Sequence, residues 1–149
     1  MSRTDYRRPV SVLVVVYTAT GQVLLLRRSR PFEFWQSVTG SLADGELHAE
    51  AAARELREET GLQHGPSLLY TGVSRQFVID PRWRDRYAPG IVENVEFEWR
   101  CRVDEPVPIK LSSDEHSGFC WCPIDEAIER VWSWTNRAAL EQLRIQEFL

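Results

Sequence analysis

Apolar runs rich in β-branched residues recur along this chain and predict a β-sheet. The first two, residues 10–17 and 23–26, are joined by Thr18-Ala19-Thr20-Gly21-Gln22, a spacing that favours a β-hairpin. Further extended segments are predicted at residues 34–38, 68–76, 92–103 and 118–122. No internal repeat, linker or low-complexity segment interrupts the series. The chain is therefore predicted to form a single domain over residues 1–149.

One helix is predicted between the early and the late strands, at residues 47–60. Asp44-Gly45 is a turn signal before it, and alanines fill its first half. Ala52 and Leu56, four residues apart, share a face that we expect to contact the core while the acidic side chains face out. Gly61 stands where a left-handed helix C-cap is expected.

The C-terminal part of the chain predicts two more helices. Pro123 begins a short one, at a position where its missing N–H donor does least harm. Thr135 or Asn136 is expected to cap the last helix, in which Leu140 and Leu143 supply apolar contacts. Strands on both sides of a helix, with helices again at the end, predict an α/β sandwich around a mixed sheet.

Composition and charge narrow the functional classes. With 149 residues, of which 43% are apolar, the chain can bury a real core, which excludes disorder. A net charge of −4 argues against a protein that coats nucleic acid and still allows a small phosphorylated ligand. No run approaches the roughly 18 apolar residues that span a bilayer, so no membrane partner is expected. Cys101, Cys120 and Cys122 lack metal-finger spacing and indicate reduced thiols in a cytoplasmic protein. No pattern specifies the oligomeric state.

An acidic run provides the first candidate chemistry. On a helix, Glu55, Glu58 and Glu59 share one face, where like charges repel. Carboxylate clusters suit oxygen-loving ions such as Mg²⁺, which is usually held together with phosphate oxygens. The ordinary alternative is a solvated helix face balanced by Arg54 and Arg57. The run taken alone leaves both interpretations open.

The residues before the run favour the metal. Gly40 is followed by five residues and Glu46, then by seven residues and Arg54-Glu55-Leu56, and the run closes with Glu58-Glu59-Thr60-Gly61-Leu62. This pattern over residues 40–62 resembles the signature of the Nudix hydrolases, which cleave nucleoside diphosphates linked to another moiety. The resemblance implies an α/β/α sandwich with a loop-helix-loop catalytic motif and Mg²⁺ as cofactor, with Mn²⁺ as a substitute. Gly40 would allow a close backbone approach to the helix or substrate, although a glycine in a plain turn looks the same.

The resemblance also implies roles for the charged residues of the motif. Glu55, Glu58 and Glu59 are expected to be metal ligands, while Arg54 orients Glu55 and Glu46 braces the loop against the helix. Members of the family differ over which carboxylate takes a proton from the attacking water. The base therefore stays open between carboxylates of the motif, such as Glu55 and Glu58, and one outside it.

Residues 8–15, 34–41, 86–90 and 134–137 carry a more specific resemblance. They are similar to the branch of the family that releases pyrophosphate from a pterin triphosphate, a small-molecule substrate. By that resemblance Glu115 is a further metal ligand and a candidate for the remote base. Substrate contacts are implied at Arg7, Arg28, Thr39, Phe77, Val78, Ile79, Asp80 and Ser133.

Each implied contact has an ordinary alternative. Arg7 and Arg28 suit a triphosphate through charge-assisted bonds, and an arginine at a strand end is also commonly a solvated one. Phe77 suits stacking on a flat pterin, and a lone phenylalanine equally fills a core. Asp80 or the hydroxyl of Ser133 suits the donors and acceptors of the pterin.

The region expected to read the heterocycle is the least familiar. Residues 73–84 match the pterin branch poorly, and residues 80–90 predict a long irregular or functional loop. Trp35, Trp132 and Trp134 either wall the pocket or fill the core. Rival functions are a nucleoside triphosphate pyrophosphatase acting on dATP-like substrates, a dinucleoside polyphosphate hydrolase, and a non-catalytic ligand-binding module. A binding module typically loses signature glutamates, which this chain retains.

Overall fold

A seven-stranded sheet forms the centre of the computed structural model, which describes residues 5–63, 65–112 and 114–149. In chain order the elements are β1 (Val10–Thr18), β2 (Gln22–Arg28), β3 (Phe34–Gln36), β4 (Val38–Ser41), α1 (His48–Thr60), β5 (Leu68–Val78), β6 (Glu93–Val103), β7 (His116–Pro123), α2 (Ile124–Arg130) and α3 (Trp134–Glu147). Short 3-10 helices lie at Gly65–Ser67 and Pro81–Arg86. None of the helices in the described ranges is long and apolar enough to cross a membrane.

Strand β1 lies at the middle of the sheet. The order is β3-β2-β1-β6-β5, while β4 pairs with β1 and β7 pairs with β2. β1 runs parallel to β6 and antiparallel to β2 and β4. One parallel pair among antiparallel ones makes the sheet mixed, which confirms the sequence prediction. The predicted hairpin of β1 and β2 is also confirmed, with Tyr17 opposite Val23.

Two cores lie on opposite faces of this sheet. Successive side chains of a strand point to opposite faces, so an apolar strand such as β1 can serve both. Val12 belongs to a buried cluster with Leu56 of α1, and Leu13 to a second cluster with Leu140 of α3. α1 therefore covers one face, and α2 and α3 cover the other. The predicted α/β/α sandwich is confirmed.

The start of α3 differs from the prediction. Ser133, rather than Thr135 or Asn136, is the N-cap, and its Oγ accepts a hydrogen bond from the Asn136 N–H at 3.5 Å. Thr135 and Asn136 are buried in the first turn instead. There the Asn136 side chain accepts from the Ser37 N–H at 2.8 Å and donates to the Ser37 hydroxyl at 3.0 Å. Neighbouring polar residues carry the same capping signal in sequence, and a tertiary contact decides among them.

The segment at residues 34–38 forms two strands rather than one. β3 pairs with β2 and β4 pairs with β1, and the backbone changes partner at Ser37. This change delivers the residues that follow β3, including Thr39 and Gly40, to the edge of α1. The loop at residues 80–90 is irregular as predicted, apart from the 3-10 helix Pro81–Arg86.

Candidate active site

Helix α1 holds the acidic run between the sheet and the cavity beside it. Its start is fixed by Glu50, whose carboxylate accepts from the Leu47 N–H at 2.9 Å, and its end by Gly61. Gly61 has φ of 76°, and its N–H donates to the Arg57 carbonyl, so the predicted left-handed C-cap is confirmed. Ala52 and Leu56 are buried, as expected.

The expectation that all the glutamates face outward is wrong. Glu55 retains only 9% of its exposure and Glu59 only 1%, whereas the Glu58 side chain is 53% exposed. The reason lies outside the helix, because β4 approaches Glu55 and β7 contributes the buried His116 beside Glu59. Periodicity places these residues on one side of a helix but does not reveal what covers that side.

Gly40 marks the closest approach between β4 and α1. A Cβ atom built at Gly40 would lie 2.2 Å from Cδ of Glu55 and 2.3 Å from its Oε2. Real Cβ atoms essentially never approach other heavy atoms within 3.0 Å, so the Glu55 carboxylate occupies the space of the missing side chain. Of the two interpretations of Gly40, the close approach to the helix is the one observed.

Arg54 joins the loop to the helix through several hydrogen bonds. Its Nε and Nη2 donate to Oε2 and Oε1 of Glu46, both at 2.8 Å. Its Nη1 donates to Glu55 at 2.5 Å and to Glu58 at 3.1 Å, and its Nη2 also reaches the Ser41 carbonyl at 3.1 Å. The bond from Arg54 lowers the pKa of Glu46 to about 2, which keeps this carboxylate ionised. Arg54 thus contacts three of the signature glutamates at once.

Glu59 is a buried acid in need of a charge partner. Among the described residues, neither of its carboxylate oxygens has a well-formed hydrogen bond, and Nε2 of His116 lies 3.6 Å from Oε1. Burial raises the pKa of Glu59 well above its usual value, and Glu55 and Glu115 raise it further, while the Thr39 backbone opposes them. Burial also lowers the pKa of His116, so the imidazole is neutral and supplies no cation. A bound cation would offset the energetic cost of keeping the buried Glu59 carboxylate ionised.

The four predicted metal ligands are not gathered into a finished site. Within the described parts of the chain, no three Asp, Glu, His or Cys side chains are arranged as a ready ligand set. Glu55 and Glu115 are nevertheless close enough to Glu59 for their charges to affect its pKa, and Glu58 lies at the exposed edge of the group. The donor set consists of carboxylate oxygens, and both oxygens of the buried Glu59 lack a hydrogen-bond partner among the described residues, so the set fits a hard divalent cation.

A cavity of about 720 Å³ opens beside these glutamates. The predicted site residues on its wall are Arg7, Arg28, Thr39, Gly40, Arg54, Glu55, Phe77, Val78, Ile79, Asp80, Glu115 and Ser133. Glu58 and Glu59 do not line it, and neither do Glu46 and Gly61. Residues from both ends of the chain therefore meet at one concave surface, of the size that binds small molecules.

One part of the cavity is cationic. Burial lowers the pKa of Arg28, and the neighbouring charges of Arg86 and Arg7 lower it further, whereas Glu115 and Glu59 raise it. The Arg7 N–H also donates to the Arg86 carbonyl at 2.8 Å. Arg86 received no role from the sequence, although it lies in a segment that carries the family resemblance. A single arginine in an irregular loop gives no signal of what it will face.

Another part of the cavity is aromatic. Phe34, Trp83 and Trp132 line it, with ring centroids 5.4 to 5.8 Å apart, and Phe32 packs behind them. Trp132 and Trp134 thus belong to the wall, and Trp35 packs against the core beside α3. Phe34 and Trp83 carry no signal of this role in the sequence, because the three rings come from separate segments.

Two predicted contacts are already engaged within the protein. The Asp80 carboxylate accepts from the Arg82 backbone N–H and from Nε and Nη2 of its guanidinium, each at 2.9 Å. The Thr39 hydroxyl donates to the Val12 carbonyl at 2.8 Å. Asp80 also caps the 3-10 helix Pro81–Arg86, so it shapes the cavity wall as well as lining it.

Similarity to known proteins agrees with this geometry. A family model described as "NUDIX domain" matches residues 7–143. The dihydroneopterin triphosphate diphosphatase of Escherichia coli strain K12 is 39% identical over 144 residues, which cover 94% of this chain and 95% of that protein. The Haemophilus influenzae protein of the same name is 38% identical over 142 residues, covering 93% and 89%. The solved structure of the Escherichia coli dihydroneopterin triphosphate pyrophosphohydrolase superposes with a TM-score of 0.88 at 37% identity, covering 95% of this chain and 98% of that one. The chain belongs to the Nudix family.

Proposed function

We propose that this chain hydrolyses dihydroneopterin triphosphate to dihydroneopterin monophosphate and pyrophosphate. The observation that carries the proposal is a single cavity with a cationic part, an aromatic part and an acidic helix beside it. A relative of that activity shares 39% of its residues across nearly the whole chain. The predicted single domain and cytoplasmic location belong to the same proposal, which also places the reaction on the route to folate.

Different side chains would bind the two ends of the substrate. Arg7 and Arg28 line the cavity and supply positive charge where the phosphate chain would lie, and Arg86 adds its charge beside Arg28. Charge-assisted bonds from guanidinium groups are among the strongest that phosphates form. The rings of Phe34 and Trp132 offer flat apolar surface to a pterin. Binding at both ends would hold the bond to be broken beside Glu55 and Glu115.

Mg²⁺, with Mn²⁺ as a substitute, is the proposed cofactor. Glu55, Glu59 and Glu115 are its proposed main ligands, and Glu58 is a ligand from the edge of the group. When bound, a divalent cation neutralises phosphate charge and lowers the pKa of water, and both effects favour attack on a pyrophosphate. Arg54 orients the Glu55 carboxylate by donating a hydrogen bond of 2.5 Å from Nη1. Glu55 and Glu115 reach the cavity, so we place the base with them rather than with Glu58.

Product analysis tests this function. Purified protein is incubated with Mg²⁺ and with dihydroneopterin triphosphate, dATP or diadenosine tetraphosphate at equal concentration. The expected result is monophosphate and pyrophosphate formed fastest from the pterin, and loss of that reaction in Glu59→Gln but not in the exposed control Glu141→Gln. A preference for dATP or for the dinucleotide would remove the pterin assignment, and an unaffected Glu59→Gln would remove the metal site.

A further inference from the structure

A buried polar floor lies beneath the cavity, away from the acidic helix. It consists of Ser11 on β1 and Asn94 and Glu96 on β6, all of which line the cavity. Ser11 lies opposite Glu96 across the parallel pair, and Asn94 is two residues before Glu96 on the same face. Their exposed fractions are 7% for Ser11, 1% for Asn94 and 7% for Glu96. Neither the metal site nor the cationic part of the cavity uses this floor.

Asn94 offers an acceptor that the protein leaves unused. Its Nδ2 donates to the Ser11 hydroxyl at 2.7 Å. Its Oδ1 is buried and has no hydrogen-bond partner among the described residues. A buried polar atom without a partner is energetically unfavourable, so a donor supplied by a ligand would be favoured there.

Glu96 offers a second acceptor. Burial raises its pKa to about 7, against a hydrogen bond from Thr135 and the charge of Arg75. Arg75 does not neutralise it by direct pairing, because its guanidinium donates to Glu98 at 2.5 Å. The Thr135 hydroxyl donates to Glu96. Thr135 Oγ1 therefore accepts from the Ser133 hydroxyl, which lies 2.8 Å away. The floor therefore combines a carboxylate and an amide oxygen, both suited to N–H donors.

We propose that Glu96 and Asn94 form the subsite that recognises the amino-pyrimidinone edge of the substrate's heterocycle. Resting on the proposed function, this assigns the choice of ring to the sheet rather than to Asp80, whose oxygens are engaged by Arg82. The ring N–H and the adjacent exocyclic amino group of a pterin point the same way, so a carboxylate accepts both in parallel. Guanine presents the same pair, whereas adenine presents an amino group beside a bare nitrogen acceptor. The floor should thus select pterin and guanine over adenine.

The test compares selectivity rather than activity alone. Values of kcat/KM are measured with Mg²⁺ for dihydroneopterin triphosphate, dGTP and dATP, in the wild type, in Glu96→Gln and in Glu93→Gln, an exposed glutamate of the same strand as control. Glutamine replaces one acceptor by a donor, so kcat/KM for the pterin and for dGTP should fall about 100-fold, mainly through KM, with dATP changed less than about threefold. A purely structural role would lower all three together, and an unchanged ratio would also overturn the subsite.

The outcomes separate this subsite from the proposed function. A wild type that prefers the pterin to dATP, with the same pterin-to-dATP ratio of kcat/KM in Glu96→Gln, overturns the subsite and leaves the function. A wild type that prefers dGTP to the pterin, with its selectivity for dGTP over dATP lost in Glu96→Gln, overturns the function and supports the subsite.

A measurement on the wild type alone covers the case in which the variant does not fold. Guanosine, inosine and 1-methylguanosine are compared as competitive inhibitors of whichever triphosphate is hydrolysed. Inosine lacks the amino group and 1-methylguanosine lacks the ring N–H, so each should inhibit about tenfold or more weakly than guanosine. Equal inhibition by all three would overturn the subsite.

Discussion

Replacing Gly40 by alanine should separate activity from stability. The new Cβ would lie 2.2 Å from Cδ of Glu55, where ordinary contact begins at 3.4 Å, so the carboxylate must retreat by more than 1 Å. A displacement of about 1 Å at a reacting centre can cost on the order of 100-fold in rate, and we expect that loss in kcat. The bond from Arg54 to Glu55, 2.5 Å long, would lengthen with it.

Stability should change little in the same variant. Gly40 is not among the glycines with positive φ, so alanine adopts its backbone without strain. The atoms that must move are the end of a flexible side chain, and alanine in a strand gains about 0.5–1 kcal/mol over glycine. The free energy of unfolding should therefore stay within about 1 kcal/mol of the wild type in urea melts.

Steady-state kinetics with Mg²⁺ and urea melts on the same preparation make the assay. Gly118→Ala is the matched control, because Gly118 also lies in a strand and has no atom within 4 Å of its added Cβ. The control should keep the activity of the wild type. Wild-type kcat in Gly40→Ala would refute the argument that the position of Glu55 limits the reaction.

Three further predictions concern charge. Because the pKa of Glu96 is raised to about 7, the free energy of unfolding should fall by up to ~3 kcal/mol as the pH rises from about 4.5 to about 7. Glu96→Gln should remove this slope in urea melts at pH 5 and 8, and parallel pH profiles of the variant and the wild type would contradict it. Because the pKa of Glu46 is lowered to about 2, its pairing with Arg54 stabilises the fold above about pH 4.5, and this stabilisation is lost as the pH falls through 2. In urea melts, Glu46→Gln should therefore lower the free energy of unfolding by on the order of 1 kcal/mol at pH 7 and by almost nothing near pH 2. Mg²⁺ at 100 times its Kd should stabilise the folded protein by about 2.7 kcal/mol and so raise its Tm, and Glu59→Gln should lose most of this rise. A full Mg²⁺ response in that variant would exclude Glu59 as a ligand.

The fold was largely readable because its strongest signals are local. Apart from Ser11, residues 10–17 are apolar on both faces, which marks a strand buried between two layers. Helix α1 has an alanine-rich start and is followed by a glycine suited to a C-cap. The pairing of β1 with β6 was not readable, since two strands distant in sequence carry no mark of their partnership. The same limit applied at Ser133, where a contact with Ser37 decides which polar residue caps α3.

The site was readable where the motif is continuous and not where it is assembled in space. The signature identified Glu55 and Glu59 as candidate ligands, but it could not predict their burial, which depends on the covering strands. Glu96 could not be singled out, because a polar residue in an alternating strand normally faces solvent. The roles given to the site residues stay predictions that the experiments above address. The single domain over residues 1–149 also stays a prediction.

The central position of β1 also bears on how the chain folds. Val10, among the first residues of the sheet, pairs with Val95, and the parallel contact continues to Thr18 and Val103. During synthesis, β1 can pair early with β2 and β4, but its other edge must wait until about two thirds of the chain has been made before β6 exists. Long-range parallel pairing is intrinsically slow and leaves apolar strand edges unpaired in the meantime. Chaperone demand and aggregation during expression should therefore depend on β1 more than on any element of the catalytic motif.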